Sequence, residues 1–331
     1  MPTGQLKLEG WERLGVQFPD KAVIAAIIGI CKFGVRIGYE GVKESPTIPP
    51  NLSTAHADTA IVTADIATEL SRNRLLVYLN KEDLPKYYTA SPLGLTDKAD
   101  ASKRRIHHLS YPAPGTSSIN GGIPEYYGTI TYSGIEDAIL AIQNMGRGYL
   151  LVKRDFESAF RHIPVSPLDS PLLGFQWQSR YYTECVLPFG LWTTPFLLNL
   201  FAEVFHWILE EEFKLQGLRA SIIHYLDDFL MILPPNSQLE RYTTIFTRLC
   251  YEVGLRIKES KNEEGTVVCS AGIELGTRLM VIRLPTKKLL KARSIIQCTT
   301  ERTSVSLLEL QRITGYLNFV STVVPLGRTF I

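Results

Sequence analysis

The sequence predicts an α+β fold, in which helices pack against an antiparallel sheet. Two observations carry this prediction: strand-like runs occur in adjacent pairs at hairpin spacing, and amphipathic helical stretches separate the pairs. The chain has 331 residues, of which 45% are hydrophobic and 10% aromatic. This composition excludes a disordered protein and provides core for one large domain or two to three smaller ones.

The regular part of the chain predicts elements in the order β, ββ, α, ββ, α, ββ, αα. Ahead of it we expect a helix near residues 20–32, a Pro/Ser/Thr-rich linker at 45–56, and a helix at 135–145 that Gly146 and Gly148 end. The remaining predicted elements are a buried strand at 149–156, a hairpin of 172–178 and 181–187 turning at Ser179-Arg180, a helix at 195–213 capped by Thr194, a hairpin of 221–226 and 229–234, a helix near 237–255, a strand pair at 266–275 and 278–284, and helices near 286–300 and 306–323.

Cysteine usage and hydropathy predict the compartment. The five cysteines are scattered and none sits at metal-ligand spacing, which is typical of free thiols in a reducing compartment. The N-terminus has no apolar signal segment, and the most apolar run, residues 22–31, is too short to span a bilayer. We therefore expect an intracellular protein, cytoplasmic or nuclear, with no membrane partner.

Three carboxylates carry the main chemical signal. Asp155 ends the predicted buried strand, and Asp227 and Asp228 occupy the predicted turn of a later apolar hairpin. Neighbouring strands lie about 5 Å apart, so the carboxylates converge if these elements pair. Like charges that close raise one another's pKa unless a cation neutralises them, and oxygen ligands suit Mg²⁺ or Mn²⁺. The alternative is structural, because Asp is common in turns and at strand ends.

The sequence around these carboxylates resembles the sequences of reverse transcriptases. YLDDF at 225–229 matches their Tyr-x-Asp-Asp box, and further boxes occur in the family's order over roughly residues 90–331: SPLGLTDK with SKRRIHHLSYP, KRDFESAF, LPFGLWTTP, GLRIKESK and VCSAGIEL. The forms KRDFESAFRHIPVSP, IHHLSYP and VVPLGRTF are most similar to DIRS-type retroelements. The LPFGL form is shared with Gypsy-type retrotransposons.

This resemblance implies a right-hand polymerase fold, with fingers, a palm that carries the antiparallel sheet, and a short helical thumb. It places fingers and palm at 61–284 and thumb-like helices at 285–331, and leaves 1–60 as an N-terminal extension without an assigned role. The implied activity is RNA-directed DNA polymerisation, in which dNTPs extend a primer on an RNA or DNA template.

The resemblance also implies a metal site. Asp155 and Asp227 would hold two Mg²⁺ ions, with Mn²⁺ as a substitute, Asp228 would complete the set, and the carbonyl of Phe156 would be a further ligand. Lys261 matches the lysine that protonates pyrophosphate in the family, although Lys258 is close enough to compete for that role.

Two residues match nucleotide-contacting positions on the N-terminal side of the Tyr-x-Asp-Asp box. Arg104 lies where the family places a triphosphate ligand, but Lys103 replaces the aromatic residue expected before it, which leaves the register open by one residue. Phe160, at the start of a helix after Asp155, matches the ring that blocks a ribose 2′-hydroxyl. The alternative for Phe160 is a core residue.

Further matches concern the LPFG box and the primer grip. Phe189 is expected beside the nucleotide, and Gly190 would let backbone approach the base pair without interference from a Cβ atom, unless it is a plain turn glycine. The primer grip would be the hairpin tip at Ser270, Ala271 and Gly272.

Two other function classes stay open on the sequence. A degenerate or domesticated relative would bind nucleic acid or protein without polymerising. A two-metal nuclease would use the same cations but would not need the fingers and primer-grip boxes.

The charge is unevenly distributed along the chain. The whole sequence carries 35 Lys+Arg and 33 Asp+Glu, a formal net charge of +2. Residues 241–331 hold 14 Lys+Arg and 7 Asp+Glu, so this stretch is +7 and the remainder is −5. The basic stretch coincides with the expected primer grip and thumb, where a phosphate backbone would run.

Overall fold

The computed structural model describes residues 5–43, 48–98, 102–112, 118–130 and 133–330. Its α-helices are α1 Leu8–Gly15, α2 Lys21–Phe33, α3 Ser53–Ala57, α4 Thr59–Ser71, α5 Ile135–Met145, α6 Thr194–Leu215, α7 Leu239–Val253, α8 Thr286–Thr300 and α9 Leu307–Ser321. Its strands are β1 Leu75–Tyr78, β2 Leu93–Asp97, β3 Lys103–His107, β4 Leu150–Asp155, β5 Gly174–Trp177, β6 Arg180–Glu184, β7 Ser221–Tyr225, β8 Asp228–Leu233, β9 Glu263–Gly265, β10 Val267–Ser270, β11 Ile273–Gly276 and β12 Val281–Arg283.

The chain forms two compact units, each built from separated segments. The larger unit comprises residues 1–131, 156–212 and 240–257, and the smaller unit comprises 132–155, 213–239 and 258–331. The predicted boundaries at residues 60 and 284 do not coincide with these segments and stay predictions.

The smaller unit contains an antiparallel sheet in the order β7–β8–β4–β9. Strand β4 lies between β8 and β9 and is buried or half-buried along its length, as predicted, although only its first three residues are apolar. Helix α5 covers the sheet with Ala138 and Ile142, which share a core with Leu151 and Ile232. This packing fixes the register that places the end of β4 beside the start of β8.

A second sheet in the smaller unit has the order β10–β11–β12. The predicted strand pair at 266–275 and 278–284 is wrong in one respect, because the first strand folds back on itself at Ala271-Gly272. Both residues have positive φ, 46° and 77°, which reverses the chain. Helix α9 adds Phe319, and the segment after it adds Val323, to the core that this sheet shares with α5.

The larger unit contains a sheet in the order β1–β6–β5 and the β2–β3 hairpin. Helices α3 and α4 contribute Ala55, Val62 and Ile66 to a core with Phe175 and Tyr182 from the sheet. The predicted linker is therefore helical from Ser53 onwards, while its residues 45–47 lie outside the described residues.

The N-terminal helices belong to this larger unit. Trp11 is fully buried, its indole Nε1 donates to the Val253 carbonyl at 3.0 Å, and its ring packs edge-on against Phe201. Helix α2 was predicted close to its observed bounds, and the Asp20 carboxylate caps it by accepting from the backbone of Ala22 and Val23.

Three local predictions need correction. The first hairpin turns at Gln178-Ser179, where both residues have positive φ, so that Arg180 already pairs with Trp177. Thr194 is the first residue of α6 rather than the residue before it, and its hydroxyl donates to the Pro188 carbonyl at 3.4 Å. Phe160 lies in a short 3₁₀ turn, Ala159–His162, rather than at the start of an α-helix. The α+β fold class itself is confirmed.

Within the described ranges, no helix is both long and apolar enough to cross a bilayer.

Candidate active site

Two of the three predicted carboxylates lie side by side on neighbouring strands of the β7–β8–β4–β9 sheet in the smaller unit. Asp155, the last residue of β4, pairs directly with Asp228, the first residue of β8. Asp227 precedes Asp228 in the tight turn that begins at Leu226, where φ is 55°. The predicted pairing of the two elements is confirmed, but Asp228 is a strand residue rather than a turn residue.

Burial and like charge perturb the Asp228 carboxyl. Its pKa rises to about 7 because burial disfavours the anion, and the hydrogen bond with Asp155 and the charges of Asp155 and Asp227 act in the same direction. The Lys153 ammonium opposes this shift. One oxygen of Asp228, Oδ1, is buried without a hydrogen-bond partner. The site therefore brings three carboxylates together, and burial and its two neighbours make Asp228 the one that ionises least readily.

A lysine closes the site from one side. Lys261, in a 3₁₀ turn at Glu259–Lys261, places Nζ 2.5 Å from Asp155 Oδ2. Burial alone would lower the pKa of this ammonium, but the hydrogen bond and the nearby carboxylates outweigh burial and raise it. Lys258 contacts Asp155 through its backbone, with its N–H donating to the Asp155 carbonyl at 2.7 Å. Of the two lysines considered, Lys261 is the one whose side chain reaches the carboxylates.

The predicted primer grip lies in the same unit. Ser270 ends β10, and Ala271 and Gly272 form the turn into β11. Gly272 has a φ of +77°, a backbone conformation that favours glycine, and its α-carbon lies against the flexible end of the Lys288 side chain. Lys153 connects this hairpin to β4, because its Nζ donates to the Cys269 carbonyl at 2.9 Å.

A small cavity lies between the hairpin tip and Asp228. Tyr225 and Asp228 line it together with Ser270, Ala271 and the first residues of α5. The structure thus brings together Asp155, Asp227, Asp228, Lys261 and the hairpin 270–272 within one unit.

The donor chemistry of the carboxylates fits a hard divalent cation. All the side-chain ligands are oxygens, and one of them is the buried, unpartnered Asp228 Oδ1. In the part of the chain that the structure describes, however, no three His, Cys, Asp or Glu side chains already surround one point as a bound ion would require. The Lys261–Asp155 ion pair gives a physical reason, because the ammonium holds an oxygen that a cation would use.

In the larger unit, the nucleotide-contacting candidates Arg104 and Phe160 both lie against Phe189. We call these three residues the Phe189 cluster. The Arg104 guanidinium carbon lies 4.2 Å from the centre of the Phe189 ring, and the Phe160 ring centre lies 5.3 Å from it. Arg104 is exposed, while its neighbour Arg105 is buried in ion pairs. Successive strand residues point to opposite faces, so Arg104 is the exposed one of these two arginines, and its match to the triphosphate position stays a prediction.

The backbone conformation and packing of the protein itself require a glycine at position 190. Its φ is +120°, and a Cβ atom there would lie 1.9 Å from the His107 carbonyl oxygen. The His107 N–H donates to the Phe189 carbonyl, and Asn120 holds the same turn by donating to the Gly190 carbonyl at 2.9 Å. The expectation that the glycine accommodates a base pair is therefore not needed to explain it.

The larger unit also contains a buried network of ion pairs that is not among the predicted features. Glu184 on β6 is fully buried between Arg105 and Arg161, and their charges lower its pKa although burial alone would raise it. Arg161 also pairs with Glu69. A glutamate inside the apolar run YYTECVL is the sequence signal, since a buried carboxylate needs cationic partners.

Phe156 lies in the larger unit, where its ring packs against Phe205 and Phe246. Its role as a carbonyl ligand stays a prediction. His162, which neighbours the carboxylate motif in sequence, is buried and accepts the Arg256 backbone N–H at Nε2. The imidazole therefore has a structural partner.

The family model for the reverse transcriptase (RNA-dependent DNA polymerase) matches residues 103–304. This range includes the carboxylates, the Phe189 cluster and the primer-grip hairpin. The chain belongs to the reverse transcriptase family.

Curated relatives of this reverse transcriptase chain come from avian hepadnaviruses. Protein P of duck hepatitis B virus (strain China) is 27% identical over 171 residues, a match that covers 51% of this chain and 21% of that protein. Protein P of heron hepatitis B virus is 25% identical over 171 residues. The chain thus spans about a fifth of the length of the curated relatives it matches.

Solved structures support the fold. The foamy viral protease-reverse transcriptase in complex with double-stranded DNA superposes with a TM-score of 0.60 at 15% identity, covering 94% of this chain and 52% of that one. The same viral protein in complex with RNA/DNA hybrid also gives 0.60, covering 97% and 42%. The predicted right-hand polymerase fold is confirmed.

Proposed function

We propose that this chain is an RNA-directed DNA polymerase that extends a primer with dNTPs on an RNA or DNA template. The observation that carries the proposal is the direct register of Asp155 against Asp228, next to Asp227 in the turn, in a chain of the reverse transcriptase family. Foamy viral relatives of the same fold bind double-stranded DNA and RNA/DNA hybrid, which supports a primer-template as the partner.

The carboxylates Asp155, Asp227 and Asp228 would hold two Mg²⁺ ions, or Mn²⁺. When bound, such ions activate the primer 3′-hydroxyl and neutralise the leaving pyrophosphate. The residues of the chain do the remaining work. Lys261 must release Asp155 before that oxygen can serve as a ligand, and the freed ammonium is then available to protonate pyrophosphate.

The larger unit would provide the nucleotide contacts. Arg104 would contact the triphosphate, Phe160 would exclude a ribose 2′-hydroxyl, and Phe189 would pack against both of these side chains. In the smaller unit, the hairpin Ser270, Ala271 and Gly272 would hold the primer strand.

We further propose a retrotransposon origin of the DIRS type. The support is the amino-acid sequence of particular segments, above all KRDFESAFRHIPVSP and IHHLSYP. The curated relatives are viral proteins that share a quarter of their aligned residues with it, which is compatible with a distant common family.

A second candidate is a relative that binds nucleic acid without polymerising. The observation that favours it is the closed carboxylate site, in which Lys261 holds Asp155 and no three acidic or imidazole side chains of the described residues surround one point. The same experiment distinguishes the two candidates.

Primer extension on poly(rA)/oligo(dT) with Mg²⁺ tests the proposal. We expect the wild-type chain to incorporate dTTP, and Asp227→Asn to reduce incorporation at least about a hundredfold, because each metal ion supplies several kcal/mol of transition-state stabilisation. Binding of the primer-template, measured by fluorescence anisotropy, should survive the substitution.

The matched control is Asp83→Asn, which removes an exposed carboxylate bonded to Asn80 in the larger unit and should leave incorporation unchanged. Binding without incorporation by the wild type would favour the non-polymerising candidate. Cleavage of the labelled primer-template would instead indicate a nuclease, and full activity of Asp227→Asn would refute the assignment of the site.

A further inference from the structure

We propose that Glu184 is a positioning residue for nucleotide selection, because its buried carboxylate ties the strand that carries Arg104 to the turn that carries Phe160. The inference rests on the proposed function and extends it to a residue that does not itself reach the nucleotide. All the groups involved lie in the larger unit.

This tie, formed by Glu184 with Arg105 and Arg161, consists of two close ion pairs on one carboxylate. Glu184 is 0% exposed, its Oε1 accepts from Arg105 Nη1 at 3.0 Å, and its Oε2 lies 2.7 Å from Arg161 Nη2, without hydrogen-bond alignment. A carboxylate buried this deeply is stable only while both cations stay in place, since an unpaired buried charge is strongly unfavourable. Glu184 therefore fixes the separation of the two guanidinium groups.

Each arginine is the chain neighbour of a nucleotide-contacting candidate. Arg105 follows Arg104 on β3, where alternation directs one side chain inward and the other outward. Arg161 follows Phe160 in the 3₁₀ turn Ala159–His162. Both outward side chains converge on Phe189, Arg104 at 4.2 Å and Phe160 at 5.3 Å from the ring centre.

The arginines also have separate anchors on helix α4. Asp65 accepts from Arg105 Nε at 2.6 Å, and Glu69, one turn later, accepts from Arg161 Nε at 2.8 Å. These anchors hold each arginine to the helix, whereas Glu184 is bonded to both. Loss of its charge would leave two guanidinium groups facing each other across a neutral side chain, and their repulsion would move Arg104 and Phe160 apart.

The consequence is a specific kinetic defect. A displaced Arg104 weakens contact with the triphosphate, and a displaced Phe160 weakens exclusion of the 2′-hydroxyl. The carboxylates of the smaller unit are untouched, so the chemical step on a saturating nucleotide is preserved.

The test is steady-state incorporation of dTTP and rUTP by Glu184→Gln, which keeps the shape of the side chain and removes its charge. We expect KM for dTTP to rise about tenfold with kcat within about threefold, and the preference for dTTP over rUTP to fall. Phe160→Ala is the positive control for loss of that preference.

The matched control is Asp169→Asn. Asp169 is also buried, pairs with Arg36 at 2.8 Å and accepts the Ile37 backbone N–H, but it bonds neither arginine of the tie. It should lower the melting temperature without changing KM or the dTTP preference. If Glu184→Gln does not fold, Asp65→Asn serves instead, because Asp65 is 40% exposed and anchors Arg105 alone; it should raise KM in the same direction by a smaller factor.

The inference is overturned if Glu184→Gln, or Asp65→Asn in its place, changes the melting temperature but leaves KM and the dTTP preference unaltered. That outcome would leave the proposed function intact. Absence of incorporation by the wild-type chain would overturn the proposed function, and the inference with it.

Discussion

At the residue scale, burial decides the charge of two imidazole groups in the larger unit. His107 and His162 are both buried, and burial lowers the pKa of each to about 4. Each ring therefore stays neutral at pH 7 and serves as a hydrogen-bond partner, His107 for the Gly174 carbonyl and His162 for the Arg256 N–H.

A pH dependence of stability follows from His162. An unfolded histidine has a pKa of about 6.5, so between pH 6.5 and 4 the unfolded chain binds a proton that the folded chain does not. The folded state is therefore stable above pH 6.5 and loses stability as the pH falls towards 4. We expect urea unfolding of His162→Gln to show a slope of free energy against pH that is smaller by up to about 1.4 kcal/mol per pH unit.

His56→Gln is the control for this measurement, because His56 is exposed on α3. It should leave the slope unchanged. An identical slope in wild type and His162→Gln would mean that the imidazole is protonated in the folded chain as readily as in the unfolded one.

At the scale of elements, the N-terminal helices are part of the core of the larger unit. Helix α1 packs so closely on the end of α7 that a Cβ atom on Gly10 would lie 2.0 Å from the Glu252 carbonyl oxygen. Arg13 pairs with Glu252 at the same contact. A segment that the sequence left without a role is thus a structural support for α7.

Substitution of Trp11 measures this support. Trp11→Ala removes a fully buried indole and its bond to the Val253 carbonyl, and should lower the free energy of unfolding by about 3–5 kcal/mol. The comparison is Phe33→Ala on α2, where the ring is 70% exposed and the loss should stay within about 0.5 kcal/mol. Equal effects of the two substitutions in chemical denaturation would show that α1 is not anchored.

At the scale of the whole molecule, the uneven charge has a measurable effect. Residues 241–331 carry a formal +7, and binding of a phosphate backbone there releases counterions. With about four phosphate contacts, affinity for primer-template should fall about a hundredfold between 50 and 200 mM salt.

Single substitutions locate the contacts. Arg293→Gln on the exposed face of α8 should reduce the slope of log affinity against log salt by about 1, whereas Lys21→Gln on α2 should not change it. A flat salt response of the wild-type chain would contradict a phosphate-tracking role for the basic stretch.

The sequence predicted the pairing of Asp155 with the β7–β8 hairpin because each of these elements is encoded by a local pattern. Apolar residues mark the strands and the carboxylates stand at their ends, so that pairing brings Asp155 to Asp228. The sequence predicted the exact turn positions less well. Moving a turn by one residue, as at Asp228 or Arg180, leaves the apolar pattern of the strands unchanged, so the pattern does not distinguish the two positions.

The buried ionic network could not be predicted from the sequence alone. Its members Glu69, Arg105, Arg161 and Glu184 are far apart in the chain, and although the apolar run around Glu184 signals a buried carboxylate, it does not identify the cations that pair with it. Only the tertiary structure shows which of them share a buried carboxylate. The same holds for the contact between Gly190 and the His107 carbonyl.

The chain passes between its two units at residues 131, 155, 212, 239 and 257. During synthesis, the larger unit therefore lacks its third segment until residue 257 has left the ribosome, and the smaller unit lacks its second sheet for longer still. Fragments that end within this range expose apolar surface of both units at once, so nascent chains should depend on chaperones for most of their translation.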